Sequence, residues 1–486
     1  MNLVKSSLFL RLLNKLDIQE DSSLVQAMNN SFIFNKLNGL LGFIQDKMSY
    51  FAQSSKLVKN LDNYILILIS LLIIAIPFAS TKIIGFITVA AFALLAMKFC
   101  CVKGEKHNFT SFDIPIFLYI AIVGISVAFS SLLIPSIKGY VKMLIYFGGY
   151  LTFLNVLRGK PKRVIYLMGV IALSATAEAF CAIYQQVIGV EALASWQDNT
   201  EVNPEQLMNR VYGTLKPFNP NLLAGYLVAT FSSALGLAFW FLHKKNVRLT
   251  LLAFIGTAAI LLAIVFTGSR GAYIATAGMS FVFVLLSGHI IWHDYGHIKW
   301  LKKLWIASII AGIALVILAV LLSPSLLHRI GSIFAFRADS SNSYRFNVYA
   351  SSIKMFLDNW IIGIGPGNTT FRLIYGLYMV TGFDALGTYS VPLEIAVESG
   401  IFGLLIFSWL ILFSFIKGVK YICNKANLLE NKIIVSSCLI GITGLMTHGL
   451  VDTIWYRPQV NLIFWMLIAI LCTMTTSSFS LSQKQE

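Results

Sequence analysis

Charged residues are scarce in this sequence, and their scarcity excludes a water-soluble protein. Asp, Glu, Lys and Arg make up 12% of the 486 residues, and hydrophobic residues make up 57%. A soluble globular domain carries about 25% charged residues. The mean hydropathy of +0.77 points the same way. Apolar runs of about 20 residues, each long enough to cross the hydrocarbon core as a helix, recur along the chain and predict an all-α, polytopic integral membrane protein.

Cysteine pairs with a recognisable spacing are also missing. The six cysteines are scattered, without the spacing of a metal site or of a disulfide framework. The only apolar stretch near the N-terminus is interrupted by Arg11 and Lys15, so we expect no secretory signal. The net charge of +16 does not indicate nucleic-acid binding, because the lysines gather in short loops between apolar runs. We therefore expect no metal, no cofactor and no nucleic-acid partner.

About twelve apolar runs predict membrane spans. They cover residues 64–78, 83–100, 114–133, 140–157, 164–187, 221–242, 249–266, 272–292, 304–322, 395–416, 433–450 and 460–474. The predicted organisation is a cytoplasmic or interfacial extension (1–62), nine spans (63–322), a large external loop (323–394), three spans (395–476) and a cytoplasmic tail (477–486).

The connections between spans fix the predicted orientation. Every second connection is basic, which places all the basic connections on one side. Since positively charged loops stay in the cytoplasm, we expect both termini there and the protein in the inner (plasma) membrane, among its lipids. The opposite side then holds two long loops, 189–220 and 323–394. Helical spacing over 343–359 predicts an amphipathic helix on the outer membrane surface, because a structureless loop of this length is uncommon.

Arginine does not follow the same distribution as lysine. About seven of the eleven arginines fall on the predicted external side, against about five of the 26 lysines. A planar guanidinium suits a phosphate, diphosphate or carboxylate better than an ammonium does. An external anion site is one interpretation; the other is that these arginines reach lipid headgroups or pair with Asp339, Asp358 and Asp384. The external arginines are Arg210, Arg270, Arg329, Arg337, Arg345, Arg372 and Arg457.

Two of these arginines have distinctive surroundings. Arg270 follows Ser269 in the tight turn 267–271 between two long apolar runs, where packing holds it near the membrane boundary. Arg210 shortly precedes a predicted helix start at 219–221, where exposed backbone amides also favour an anion.

Four segments together resemble the O-antigen ligase and polymerase superfamily. They occur in the order typical of that family, and the resemblance spans about residues 61–474. Within it, the segments 389–394 and 447–453 look most similar to a cyanobacterial branch named for inorganic carbon (bicarbonate) transport. The four segments are 210–226, 267–271, 363–368 and 393–403.

The resemblance implies metal-independent glycosyl transfer at the outer face of the inner membrane. The implied donor is a glycan on a polyprenyl diphosphate carrier, and a glycan acceptor is the second substrate. The family's diphosphate-binding arginines match Arg210 and Arg270, and we add Ser269 and Arg457 as candidates. Fixed guanidinium donors would stabilise the leaving diphosphate without a metal.

This sequence departs from the ligase pattern at the implied catalytic base. Ligases carry a histidine nine residues before the glutamate of a Glu-x-Gly motif; here that glutamate is Glu398 and the earlier position is Tyr389. A tyrosine, with an unperturbed pKa of about 10, is a poor base at neutral pH. His448 and Asp452 could replace it, although His448 could equally be a satisfied histidine between packed helices. Glu398 could favour a helix dipole instead, and the glycine run 363–367 suits a turn better than a phosphate cradle.

Two other functions stay open from the sequence. A bicarbonate transporter, or an accessory subunit of one, needs ionisable groups near the membrane midplane, and Glu178 is the one acid found well inside a predicted span. The predicted charges gather on one side and no inverted repeat is visible, which argues against alternating access. The third possibility is a non-catalytic scaffold that binds a glycan carrier, supported by the missing histidine.

Overall fold

A computed structural model of the chain describes residues 16–190 and 208–476. The predicted tail 477–486, the first 15 residues of the predicted extension and the middle of the first external loop (191–207) lie outside the described residues. The helices of the described residues are numbered here in chain order: α1 (Ser23–Asn29), α2 (Phe32–Ser54), α3 (Lys56–Lys59), α4 (Leu61–Ala75), α5 (Thr81–Cys101), α6 (Asp113–Ala128), α7 (Leu133–Leu157), α8 (Pro161–Ile188), α9 (Pro220–His243), α10 (Val247–Phe266), α11 (Arg270–His293), α12 (Lys299–Leu322), α13 (Pro324–Gly331), α14 (Ser340–Asp358), α15 (Asn368–Tyr375), α16 (Val391–Cys423), α17 (Leu429–Gly449) and α18 (Pro458–Thr475).

Each of the twelve predicted spans overlaps one of these helices, although some of their bounds differ by several residues. Within the described ranges, ten helices are long and apolar enough to cross a membrane: α5, α7 to α12, and α16 to α18. The helices α4 and α6 are apolar but shorter. The predicted all-α polytopic fold is therefore confirmed.

Three helices form the centre of the bundle, and two lie at its edge. In α18, 94% of the most apolar window is buried, and α9 and α17 are also mostly buried. Helix α9 packs closely on α17, because a Cβ at Gly236 would lie 2.6 Å from Cβ of Ser437. By contrast, only 17% of the apolar window of α11 is buried, and 0% of that of α12. The centre is thus built from the helices that end at the candidate site.

Helix α16 begins earlier than the predicted span at 395 and is kinked. Pro392 lies in its first turn, where the fixed φ of proline suits a helix start. The backbone leaves the helical conformation at Gly400, with φ 67° and ψ −169°. The amide of Ile401 donates to the carbonyl of Trp360 at 2.8 Å, so a neighbouring loop fills the break. The short helical segment before the kink carries Glu394 and Glu398.

The long loop between α12 and α16 has a small core of its own. The predicted helix at 343–359 is present as α14, and it buries Val348 and Met355. These side chains pack with Phe371 of α15 and Val397 of α16. The loop is therefore a folded layer that packs on one end of the bundle.

Candidate functional site

The turn 267–271 joins α10 to α11 and is held by its own hydroxyl group. Thr267 Oγ1 donates to the carbonyl of Ile264 at 2.7 Å and accepts from the amide of Ser269 at 3.2 Å. Gly268 has φ +60°, and a Cβ there would lie 3.1 Å from Cγ of Arg210. Glycine at this position therefore lets Arg210 pack directly against the turn.

Arg210 is fixed to this turn and to the start of α9. Its Nε donates to the carbonyl of Thr267 at 2.8 Å, and one terminal nitrogen, Nη2, donates to Oδ1 of Asn221 at 2.7 Å. Burial, together with the positive charges of Arg329, Arg270 and Arg345, lowers the pKa of Arg210 to about 9. Arg210 therefore remains a cation at neutral pH and lies within electrostatic range of three other arginines.

Glu178 holds the segment that carries Arg210. Its carboxylate accepts from the amide of Thr214 at 2.7 Å and from the hydroxyl of Thr214 at 2.6 Å. Oε1 of Gln185 accepts from the amides of Tyr212 and Gly213 at 3.2 and 2.8 Å. Glu178, which the sequence places well inside a predicted span, thus binds a loop of the same chain.

Arg270 starts α11 and points into the long loop. It is 6% exposed, and its Nη1 lies 2.8 Å from Oδ1 of Asp339 and donates to Oγ of Ser332 at 3.2 Å. Asp339 also caps α14 by accepting from the amide of Asn342 at 2.8 Å. Nearby, Nε of Arg329 donates to the carbonyl of Gly268 at 2.8 Å.

Arg345 of α14 approaches the same end of the bundle beside Asp452 and Tyr389. Its Nη2 lies 3.8 Å from Oδ2 of Asp452, and its guanidinium carbon lies 5.7 Å from the centre of the Tyr389 ring. The backbone carbonyl of Tyr389 accepts from the hydroxyl of Tyr349 at 3.0 Å, and φ of Tyr389 is 56°. A positive φ is uncommon for tyrosine and concentrates at functional sites. Burial and the neighbouring Tyr344 raise the pKa of the Tyr389 hydroxyl, which weakens it further as a base.

His448 lies beneath the start of α11, at the end of α17. It is fully buried, and neither ring nitrogen has a hydrogen-bond partner among the described residues. A Cβ at Gly271 would lie 2.7 Å from Cδ2 of His448, so the ring packs against the residue that follows Arg270. His448 is therefore packed between helices but is not satisfied by them.

Four arginines from separate stretches of chain thus converge around one turn. We call Arg210, Arg270, Arg329 and Arg345 the arginine cluster. Arg270 pairs with Asp339, and Arg345 lies 3.8 Å from Asp452. Gathered cations repel one another, so this arrangement favours an anionic ligand. The other external arginines lie apart: the exposed Arg372 pairs with Asp384 at 2.6 Å, and the exposed Arg337 donates to Asn347.

Glu398 and Arg457 belong to a second group, which adjoins the 452–453 segment. Oε1 of Glu398 accepts from the amide of Gly367 at 2.7 Å and from the hydroxyl of Tyr456 at 2.6 Å. The run 363–367 forms a turn against α16. Burial lowers the pKa of Arg457, which precedes α18 beside Tyr146. Thr453 donates to Glu394, and this bond connects the second group to the Asp452 segment.

The structure therefore distributes the eight predicted site residues unevenly. Ser269 is buried within the turn, and Glu398 and Arg457 lie in the second group. The sequence did not single out Arg329 and Arg345 among the loop arginines, since their convergence depends on how the loop folds back. No group of three His, Cys, Asp or Glu side chains in the described residues could hold a metal ion. Five of the eight predicted site residues gather at the arginine cluster, namely Arg210, Arg270, Tyr389, His448 and Asp452.

The comparison with known families gives one match. Residues 255–408 match the family described as O-antigen ligase. The matched segment contains Arg270, Arg329, Arg345, Tyr389 and Glu398. No curated protein matches the chain. The matched segment is similar to O-antigen ligases, a family whose substrates are lipid-linked glycans, and the apolar helices support an integral membrane protein.

Proposed function

We propose that the protein transfers a glycan from a polyprenyl diphosphate carrier to an acceptor hydroxyl, and that the arginine cluster binds the diphosphate. The observation that carries this proposal is the convergence of four guanidinium groups from separate stretches of chain around the 267–271 turn. The match of residues 255–408 to the O-antigen ligase family supports the same chemistry.

The arginines of the cluster keep donors for a ligand. Among the described residues, Arg270 uses only Nη1, so its Nε and Nη2 have no protein partner. Arg210 uses Nε and Nη2, which leaves Nη1. Guanidinium groups bind phosphate oxygens through paired N–H donors with fixed geometry. The available donors thus suit the several oxygens of a diphosphate.

The proposed reaction is a displacement at the anomeric carbon of the carried sugar. An acceptor hydroxyl oxygen forms the new C–O bond, and the bond from the anomeric carbon to the diphosphate breaks. The electron pair of that bond goes to the phosphate oxygen, where the arginine cluster stabilises the added charge. The acceptor proton goes to a carboxylate and is later released to water.

Asp452 is the proposed proton acceptor. It lies beside Arg345, and its Oδ1 accepts from the amide of Thr453 at 2.7 Å, which orients the carboxylate. Tyr389 is unsuited to the role because burial raises the pKa of its hydroxyl. His448 has no exposed surface, so we assign it a positioning role beneath Gly271.

A reconstituted transfer assay tests this function. The purified full-length protein would be placed in liposomes with a polyprenyl-diphosphate-linked oligosaccharide and free oligosaccharide acceptors. We expect release of polyprenyl diphosphate together with an elongated acceptor. Binding without transfer would instead identify a carrier-binding scaffold and would overturn the enzymatic proposal.

Bicarbonate transport is the rival that the same liposomes can test. The gathered guanidinium groups could also hold a small anion such as bicarbonate. Uptake of isotopically labelled bicarbonate, without any glycan transfer, would replace the proposed function. Transfer without uptake supports it.

A further inference from the structure

A cavity of about 270 Å³ lies in the second group, apart from the arginine cluster. Helices α6, α7 and α18 and the 366–369 segment enclose it. Lys138 and Thr369 line the cavity and are exposed, so it opens to the surface between them. Its size suits one sugar ring, because sites for drug-sized ligands begin at about 300 Å³.

Two of the side chains that line the cavity carry polar atoms that the described residues leave unpaired. The hydroxyl of Tyr146 and Oδ1 of Asn461 are both buried and have no hydrogen-bond partner in the described residues. The two side chains are 7% and 3% exposed. An unpaired buried polar atom is costly, so each one needs an explanation in the native molecule. A ligand that supplies hydroxyl groups would satisfy both.

Glu398 adds a third polar position on the cavity wall. Its Oε1 already accepts two hydrogen bonds, whereas its Oε2 accepts none from the described residues. Lys142 lines the same wall and donates to the carbonyl of Tyr456 at 2.6 Å. Glu398 and Lys142 thus place one charge of each sign on this wall, while Lys138 lies at the exposed mouth. Hydroxyl groups of a neutral ligand can donate to the carboxylate and accept from the ammonium group.

Aromatic side chains supply the remaining walls. Trp455 and Trp465 line the cavity together with Tyr119 and Tyr456. Rigid aromatic faces with a few well-placed polar groups are typical of small-molecule sites. A sugar ring offers apolar C–H faces for such walls and hydroxyls at its edge for the polar atoms.

We infer that this cavity is a subsite for one neutral sugar ring of the glycan, held through its hydroxyls by Tyr146, Asn461 and Glu398. The inference rests on the proposed function, since that function supplies the glycan. The arginine cluster binds the diphosphate but does not hold the sugars. The subsite would hold one sugar ring away from the diphosphate or from the attacking hydroxyl.

Saturation-transfer NMR on the purified full-length protein tests the subsite. The probes are the methyl glycosides of glucose, mannose and N-acetylglucosamine, and the variant is Tyr146→Phe. That change removes only an unpaired hydroxyl, so the thermal stability should stay unchanged. We expect ring-proton signals with the wild type and about fivefold weaker binding in the variant, the value of one neutral hydrogen bond. The matched control is Tyr64→Phe, at a tyrosine that is 42% exposed, and it should bind as the wild type does.

The outcomes separate the subsite from the proposed function. Absence of signal for every glycoside, or equal binding by the wild type and Tyr146→Phe, overturns the subsite. Displacement of the glycoside by a polyprenyl-diphosphate-linked oligosaccharide assigns the ring to the donor, and simultaneous binding assigns it to the acceptor. Farnesyl diphosphate binding, measured in parallel, reports on the arginine cluster alone, so either proposal can fail without the other.

Discussion

Arg270 combines near-complete burial with two unused donor nitrogens, and this makes it the most informative single residue of the site. Its Nη1 faces Asp339, while Nε and Nη2 have no partner among the described residues. A lysine would keep the charge but lose the planar set of donors. The arginine therefore matters for its geometry as well as for its charge.

We expect Arg270→Lys to weaken binding of farnesyl diphosphate by about tenfold or more, because one or two charge-assisted hydrogen bonds are lost. Calorimetric titration of the purified protein measures this change. Arg372→Lys is the matched control, since Arg372 is exposed and pairs with Asp384. Equal weakening in both variants, or in neither, contradicts a diphosphate site at the arginine cluster.

Asp452 and Tyr389 both lie next to Arg345 and are assigned different roles. We expect Asp452→Asn to lower the turnover rate about a hundredfold, because a general base contributes about that much. Tyr389→Phe should retain turnover within a few-fold. The raised pKa keeps the Tyr389 hydroxyl protonated at neutral pH, so it does not act as the base. The release of polyprenyl diphosphate measures both rates. A large loss in Tyr389→Phe, with Asp452→Asn active, would reverse the assignment.

At the level of single residues, the sequence predicted several members of the site but not which of them lie together. Arg270 could be singled out because a short turn between two apolar runs leaves an arginine few places to go. Arg345 could not, because its position beside Asp452 depends on how the long loop folds back onto the bundle. From the sequence, Glu398 could be explained as a negative charge near a helix start. Its contact with the amide of Gly367 depends on how the glycine turn packs against α16.

Among the elements, α16 depends most on a single backbone position. Gly400 adopts φ +67°, and a Cβ there would meet the carbonyl of Ile361 and approach the amide of Ile362 at 2.8 Å. The kink places the segment with Glu394 and Glu398 against the glycine turn. A residue with a side chain would oppose both the conformation and the contact.

Gly400→Ala should therefore destabilise the protein by about 2 kcal/mol or more, and lower its unfolding temperature in detergent. Differential scanning fluorimetry measures the shift. Gly312→Ala in α12 is the control, since a Cβ there meets nothing within 4 Å, and its unfolding temperature should stay the same or rise slightly. An unchanged unfolding temperature in Gly400→Ala would contradict the strained kink.

Helix positions were the most predictable part of the elements. All twelve apolar runs became helices, because a membrane-spanning backbone must satisfy its own hydrogen bonds. The largest boundary differences are the start of α7, at Leu133 instead of 140, and the end of α16, at Cys423 instead of 416. Helix α16 also begins earlier than predicted, because Pro392 favours a helix start before the apolar run. Apolar periodicity carries no signal for a kink whose break is filled by the distant loop residue Trp360.

On the scale of the whole molecule, the described residues place the candidate site at one end of the bundle. The turn 267–271, the Arg210 segment and the folded loop meet there. At the opposite end, lysines pair with acids, as Lys432 does with Asp294 at 2.9 Å. The orientation of these two ends in the membrane is a prediction from the distribution of lysine.

Labelling with a membrane-impermeant maleimide tests that orientation. In right-side-out vesicles we expect a cysteine at Leu377→Cys to react, since this loop residue is 83% exposed. Native Cys423, exposed at the end of α16, should react only after permeabilisation. A Cys423→Ser background separates the two signals. The reverse pattern of labelling would place the arginine cluster in the cytoplasm and remove the carrier chemistry proposed for it.

The exposed helix α12 shows that not all of the chain is under the same constraint. The bundle buries none of its apolar window, and apart from Trp305, which packs on Trp292 and donates to Ser287 at 3.0 Å, few neighbouring side chains dictate which apolar residue stands at each position. Leucine, isoleucine and valine can replace one another there over evolutionary time, provided that the helix stays apolar. Related chains can therefore diverge freely along α12 while still resembling one another around the buried helices that end at the site.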